Sequence, residues 1–144
     1  MASEQSQDRA PARPRISVIN DNPEFLELMG DILGDDSGLE VTLHDGDQTG
    51  IDVVRDADPD LIIVDLLLGG ASGWEIVTLA RADDQLAEVP IVICTADVVQ
   101  LRRRADELAS MSNVHVLQKP FGIDELLSTI DRLLHPEAAG GRDR

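Results

Sequence analysis

Short runs rich in apolar residues alternate with segments whose apolar residues recur at helical spacing, and this alternation restricts the fold more than any other feature. The runs cover 16–19, 39–43, 61–64, 91–94 and 114–117, and each is typical of a strand. A helical segment follows each run. Strands that alternate with helices form a parallel sheet covered on both faces. The sequence therefore predicts an α/β fold, a doubly wound five-stranded parallel sheet with five helices.

Capping residues and apolar spacing set the expected helix boundaries. Asn22 offers a side-chain cap and Pro23 suits a first helical turn, so the first helix is predicted to begin there and to end near Gly34. A single fourth helix is predicted from four residues at helical spacing, Val98, Leu101, Ala105 and Leu108.

The chain of 144 residues has the usual length of one domain, and its 42% hydrophobic content is enough for a core. We expect the folded domain over residues 15–135. Residues 1–14 are polar and broken by proline, which predicts a disordered leader, and residues 136–144 are expected to form a flexible tail.

Charge and composition exclude several classes of protein. The formal net charge of -16 disfavours direct binding to nucleic acid or to an anionic membrane. No apolar run approaches the ~18 residues that span a bilayer, and the start of the chain lacks the apolar stretch of a signal peptide. The single cysteine, Cys94, lies inside a predicted strand and is interpreted as buried filling. We expect a cytoplasmic protein.

Polar side chains follow the predicted strands where each one ends. Asn20 and Asp21 follow the first strand, Asp65 the third, Thr95 the fourth and Lys119 the fifth. Because ligands of such sheets bind outside the carboxyl ends of the strands, we expect these side chains to meet at one edge.

These residue types suit phosphoryl chemistry with a hard cation. Mg²⁺ is commonly held by one or two carboxylates with backbone oxygen and water, which fits Asp21, Asp65 and a carbonyl near Leu67. A carboxylate such as Asp65 can also form an aspartyl phosphate. The Thr95 hydroxyl and the Lys119 ammonium would then neutralise the phosphoryl charge. Lys119 is the one lysine among twelve cationic residues.

Four motifs resemble those of the response-regulator receiver domain of two-component signalling, a CheY-like domain with a flavodoxin-like fold. They are VIND at 18–21, LIIVDLLL at 61–68 with Gly73 beyond it, ICTAD at 93–97 and QKPF at 118–121. The resemblance implies that Asp65 is the phosphoacceptor and that Asp21 and the Leu67 carbonyl bind Mg²⁺. It further implies that Thr95 is the switch hydroxyl, that Lys119 contacts the phosphoryl oxygens, and that the bond from Lys119 to Pro120 is cis.

The same resemblance implies a function and its partners. We expect a single-domain response regulator that accepts a phosphoryl group from a histidine kinase or phosphotransfer protein and is not an enzyme acting on a diffusible substrate. Because only the short tail follows the last helix, output is expected through contact with an unidentified downstream protein. The fourth helix, fifth strand and fifth helix form the expected output surface, and a homodimer through that surface is one form the contact could take.

Three positions depart from the family pattern. Asn20 stands where a second acid is usual, so it could reach a metal only as a neutral amide, for example through water, and Mg²⁺ affinity is expected to be weaker. Val116 occupies a switch position that is often aromatic. GGAS at 69–72 replaces the usual turn with proline and is expected to give a more flexible loop.

Other interpretations remain open at this level. Asn20 could be an Asx-turn residue, and Asp65 could simply begin a loop. Asn20 and Val116 also motivate a pseudo-receiver, a binding module that acts without phosphorylation. An enzyme of the flavodoxin or Rossmann type is disfavoured, because the first strand runs into NDNPEF and not into a glycine-rich phosphate loop.

Overall fold

The computed structural model describes residues 14–34, 39–45, 50–65, 73–96, 98–111, 113–119 and 122–134. The predicted leader, except Pro14, and the predicted tail therefore lie outside the described residues. Within these ranges no helix is both long and apolar enough to cross a membrane. The elements in chain order are β1 (Arg15–Asn20), α1 (Pro23–Gly34), β2 (Glu40–Asp45), α2 (Ile51–Asp56), β3 (Leu61–Val64), α3 (Gly73–Ala82), β4 (Ile91–Thr95), α4 (Val98–Arg103), α5 (Ala105–Ser110), β5 (Val114–Gln118) and α6 (Ile123–Leu134).

The five strands form one parallel sheet in the order β2-β1-β3-β4-β5, which confirms the predicted fold class. β3 is the central strand, and all four of its residues are buried. β4 is buried over its whole length as well, whereas the edge strands β2 and β5 are partly exposed. Continuous apolar runs in the sequence therefore correspond to strands that are covered on both faces.

Each face of the sheet has its own apolar core, because successive side chains of a strand point to opposite faces. Ile16 and Val18 of β1 pack on the side covered by α1 and α6. Ile19 of β1 packs on the side covered by α2 and α3, where Trp74 is also buried. The two helical layers thus hold the sheet from both sides and leave the carboxyl ends of the strands at a common edge.

The first helix begins as its sequence predicts. The Asn22 side-chain oxygen accepts hydrogen bonds from the backbone amides of Glu24 at 2.9 Å and Phe25 at 3.3 Å. The cap satisfies amides that have no partner within the helix, and Pro23 takes the position where a missing N–H costs least. As a result, α1 starts immediately beyond the carboxyl end of β1.

The prediction of one continuous fourth helix is wrong. Two short helices, α4 and α5, occupy that segment, and Arg104 separates them with φ -106° and ψ 14°. The Arg104 guanidinium lies over the Trp74 ring, 4.6 Å from its centroid, and its side chain also pairs with Glu107 at 3.4 Å. Apolar spacing alone could not reveal the interruption, because Leu101 and Leu108 both pack on the same core across it.

A buried histidine links the edge strand to β1. His44 of β2 is only 5% exposed, and its Nε2 lies 3.1 Å from the Ser17 hydroxyl oxygen. Burial lowers the pKa of His44 from its usual value near 6.5. The folded protein therefore binds fewer protons at this site than the unfolded chain does when the pH falls below about 6.5.

Stability should consequently decrease as the pH falls from about 6.5 towards the pKa of His44 in the folded state. Replacing His44 with glutamine, which can still bond Ser17, should flatten this dependence by up to about 1.4 kcal/mol per pH unit. Urea unfolding at half-unit steps between pH 5 and 7.5 measures the slope. His115→Gln is the matched comparison, because burial and Arg132 also lower the pKa of His115. An unchanged slope in His44→Gln would contradict the assignment.

Candidate functional site

Asp65 directly follows the central strand, and two side chains from other strand ends contact one of its oxygens. Lys119 Nζ lies 3.0 Å from Asp65 Oδ2. Asn20 Nδ2 donates a hydrogen bond to the same oxygen at 3.4 Å. The Asp65 side chain is only 12% exposed. The predicted meeting of polar residues at one edge of the sheet is therefore observed for Asn20, Asp65 and Lys119.

The strands themselves determine this arrangement. β3 pairs with β1 on one side, and the Asp65 amide continues the ladder by donating to the Ile19 carbonyl at 3.4 Å. On the other side, the Lys119 amide donates to the Thr95 carbonyl at 2.9 Å, which extends the pairing of β4 with β5. Backbone hydrogen bonds thus place Asp65 and Lys119 at the same edge of the sheet.

Asn20 fills two roles at once. Its Nδ2 contacts Asp65, while its Oδ1 accepts a hydrogen bond from the Asn22 amide at 2.8 Å, two residues ahead. The second contact is the Asx-turn geometry that the sequence left open. The residue is 2% exposed, so both halves of its amide are used in a buried setting. The structural and functional interpretations of Asn20 are therefore compatible.

Thr95 and Asp21 are placed at the same edge. Thr95 is the last residue of β4 and is fully buried, and the register of β3 with β4 pairs Val64 with Ile93, two residues before it. Asp21 follows Asn20 in the turn between β1 and α1 and is partly exposed. Both residues take part in further interactions within the protein. Their roles in chemistry remain predictions.

Four further expectations concern residues near this edge. Leu67 and Pro120 lie outside the described residues, so the carbonyl ligand and the cis bond stay predictions. Val116 is 41% exposed on β5, where it presents an aliphatic side chain. Burial raises the pKa of the Cys94 thiol to about 12, so the thiol is protonated at neutral pH and serves as packing, as predicted.

The residues present fit Mg²⁺ better than a softer metal. Within the described ranges, no group of three or more histidine, cysteine or acidic side chains could hold an ion. Zinc and similar metals need such a set, whereas Mg²⁺ accepts one or two carboxylates and keeps several waters. Asp21 and Asp65 are the two carboxylates that the sequence predicts as ligands, and Asp45 at the end of β2 pairs in register with Asn20. Asn20 Oδ1 is already engaged by the Asn22 amide, which reduces its value as a ligand.

One residue beside the site was not predicted from the sequence. Phe25, in the first turn of α1, places its ring centroid 4.8 Å from Lys119 Nζ. The available signals were its position in the first turn after NDNP and the scarcity of aromatic residues, which make up 2% of the chain. Neither signal specifies which side chain from a distant strand lies against the ring.

Comparison with known proteins identifies relatives of this chain. The family model described as the response regulator receiver domain matches residues 16–131. The hybrid signal transduction histidine kinase D of Dictyostelium discoideum is 32% identical over 135 residues, which cover 90% of this chain and 8% of that protein. The DNA-binding response regulator MtrA of Mycolicibacterium smegmatis is 32% identical over 124 residues, covering 82% of this chain and 49% of MtrA. The chain thus spans about half or less of the length of these curated relatives.

Solved structures agree with the fold. The chemotaxis response regulator CheY4 of Vibrio cholerae superimposes with a TM-score of 0.71 at 22% identity, covering 84% of this chain and 98% of CheY4. The receiver domain of the sensor histidine kinase PA1611 from Pseudomonas aeruginosa gives a TM-score of 0.68 at 30% identity, covering 85% of this chain and 98% of that domain. That structure has a magnesium ion coordinated in its active site cleft.

Asn20→Asp should destabilise the metal-free protein, because it exchanges a hydrogen-bond donor to Asp65 for a like charge in a buried position. We expect a loss of about 1–2 kcal/mol in the free energy of unfolding at pH 7 without divalent cations. Urea unfolding of the variant and the wild type at pH 7 measures the difference.

Adding Mg²⁺ provides the second arm of this experiment. A third carboxylate should bind the ion more tightly, so millimolar Mg²⁺ should restore more stability to Asn20→Asp than to the wild type. Asn20→Ser is the control, since it removes the amide without adding a charge. Equal Mg²⁺ affinity of Asn20→Asp and the wild type would contradict the expected effect of the native amide.

Proposed function

This chain belongs to the response regulator receiver domain family, and from that premise we propose that it accepts a phosphoryl group on Asp65. Receiver domains of two-component systems are phosphoacceptors that interact with histidine kinases or phosphotransfer proteins. The observation that carries the assignment is the contact of Lys119 and Asn20 with the same Asp65 oxygen, at the carboxyl end of the central strand. The donor is proposed to be a phosphohistidine on such a partner.

The chemistry follows from the positions of these groups. A carboxylate oxygen of Asp65 attacks phosphorus and forms an O–P bond, while the N–P bond to the donor imidazole breaks and its electron pair stays on nitrogen. Lys119, 3.0 Å from Oδ2, supplies positive charge where the phosphoryl oxygens gather. Attack by water on phosphorus later releases inorganic phosphate and restores the carboxylate.

A bound Mg²⁺ would supply positive charge that neutralises the negative charge developing during the transfer. Asp21 and Asp65 are the proposed protein ligands, with the Leu67 carbonyl and water completing the set. Thr95 is proposed to donate its hydroxyl to a phosphoryl oxygen. Its complete burial at the end of β4 supports a role inside the site.

The proposed output is a change in protein contact. The surface formed by α4, α5, β5 and the start of α6 exposes apolar side chains, namely Val98, Val99, Val116 and Ile123. Such a patch suits association with a downstream protein or a second copy of the chain. Because Val116 is aliphatic, the proposed switch does not use an aromatic rotamer at that position. The single-domain architecture stays a prediction, since the curated relatives are longer proteins.

A pseudo-receiver is the second candidate function. It is supported by Asn20, which satisfies Asp65 Oδ2 with a neutral donor, and by the aliphatic Val116. The two candidate functions predict different effects of Asp65→Asn on partner binding. Partner binding that is the same for the wild type and Asp65→Asn would favour the pseudo-receiver.

Incubation with acetyl phosphate and Mg²⁺ should add one phosphoryl group, detected by intact mass spectrometry. Asp65→Asn should add none, because an amide is not a competent acceptor. Asp60→Asn is the matched control, since Asp60 lies at the opposite end of β3 and its variant should behave as the wild type does. No adduct on the wild type, or the same adduct on Asp65→Asn, would refute the proposal.

Lys119→Arg should impair phosphorylation although the charge is unchanged. A guanidinium is planar and larger than an ammonium, so it cannot occupy the same position between Asp65 and its surroundings. We expect the rate with acetyl phosphate to fall by about tenfold, equivalent to ~1.4 kcal/mol. A time course by intact mass measures it, with Lys119→Met as the charge-free reference. A rate equal to that of the wild type would show that charge alone is sufficient.

A further inference from the structure

Lys119 contacts a second group besides the acceptor carboxylate. Its Nζ lies 4.8 Å from the centroid of the Phe25 ring and 3.0 Å from Asp65 Oδ2. An ammonium within ~6 Å of a ring centroid is attracted by the negative face of the ring. The ring offers no lone pair that would compete for the N–H donors. Phe25 can therefore hold the ammonium while leaving it able to donate to Asp65 or to a phosphoryl oxygen.

Phe25 is tied to the acceptor through the turn between β1 and α1. Its backbone amide donates to Asn22 Oδ1 at 3.3 Å, and the Asn22 amide donates to Asn20 Oδ1 at 2.8 Å. Asn20 in turn donates to Asp65 at 3.4 Å. A continuous series of hydrogen bonds thus relates the start of α1 to the acceptor. The backbone from which the Phe25 ring projects is therefore positioned relative to the carboxylate that Lys119 contacts.

The methylene groups of Lys119 belong to a side chain that lines an apolar cavity. With Phe25, it lines a cavity of about 330 Å³ between α1 and α6, together with Leu28, Met29, Ile32, Ile123 and Leu126. A lysine side chain buries its methylene groups on such a surface while its ammonium stays at a polar site. The side chain is 30% exposed, so packing leaves it some freedom. The ring restricts that freedom on the side next to the acceptor.

We propose that Phe25 is a positioning residue for phosphoryl transfer to Asp65, acting by holding the Lys119 ammonium at the acceptor through its ring face. This inference rests on the proposed function, because the transfer step is the one that Lys119 is assigned to assist. The contact of the ring with Lys119 Nζ is the one on which this role depends. Phe25 acts through Lys119.

The test compares three variants of the full chain. Phe25→Leu removes the ring and keeps an apolar side chain, whereas Phe25→Tyr keeps the ring face. Leu28→Ala is the packing control, because Leu28 lines the same cavity from the same helix. Lysine-selective ¹³C labelling reports on the contact directly. Since the sequence has one lysine, every labelled side-chain signal belongs to Lys119.

Two results are expected. The Lys119 ε-methylene proton signal, shifted upfield by the ring in the wild type and in Phe25→Tyr, should move towards the position of free lysine in Phe25→Leu. The rate of phosphorylation by acetyl phosphate should fall about two- to fivefold in Phe25→Leu, the range expected for the loss of a partly exposed cation–π contact. Phe25→Tyr and Leu28→Ala should retain the wild-type rate.

Four results would contradict the positioning role of Phe25 or the proposed function. An unshifted lysine signal in the wild type, or a wild-type rate in Phe25→Leu, would overturn the positioning role. Equal losses in Phe25→Leu and Leu28→Ala would assign the effect to packing and would overturn it as well. If the wild type takes no phosphoryl group while the lysine signal still depends on the ring, the proposed function fails and the contact is established separately.

Discussion

Parallel pairing of an entirely buried central strand is the constraint on which the rest of the molecule depends. β3 has no exposed residue, so the chain can place a charged side chain only where the strand ends. Parallel neighbours then end at the same level, and each contributes one polar group there. The positions of Asn20, Asp65 and Lys119 are thus consequences of how the sheet satisfies its backbone hydrogen bonds. Because strand pairing already brings these three side chains together, the proposed phosphoryl transfer would need few other structural features.

The sequence was sufficient to predict what depends on periodicity and on strand ends. The five strands, the cap at Asn22 and the meeting of Lys119 with Asp65 follow from patterns that are local in the chain. What depends on the packing of distant segments was not predictable. The break at Arg104 occurs where a guanidinium stacks on a tryptophan of another helix, and apolar spacing continues across it. The ring of Phe25 reaches Lys119 from a different element, which no spacing rule indicates.

Asn20 shows how one substitution can serve two requirements. A second acid at this position would repel Asp65 unless a cation lay between them. The amide instead donates to Asp65, the proposed acceptor, and accepts from the Asn22 backbone amide, so it joins the turn to that carboxylate. We expect weaker attraction of a divalent ion, since the neutral amide lacks the negative charge of a carboxylate. Under the proposed function, the Asn20 amide would stabilise the metal-free site and would also weaken the binding of Mg²⁺.

Lys119 carries the sole side-chain primary amine of the sequence, whereas every other cationic residue is an arginine. Reagents that acylate or cross-link amines leave guanidinium groups unmodified, so within this sequence they can react only with the site and with the amino terminus. Acylation of that nitrogen removes its charge. Because the other cationic residues are arginines, the Lys119 ammonium is the one side-chain target for acyl donors in this sequence. Immobilising the protein through lysine would therefore block the proposed phosphoryl site.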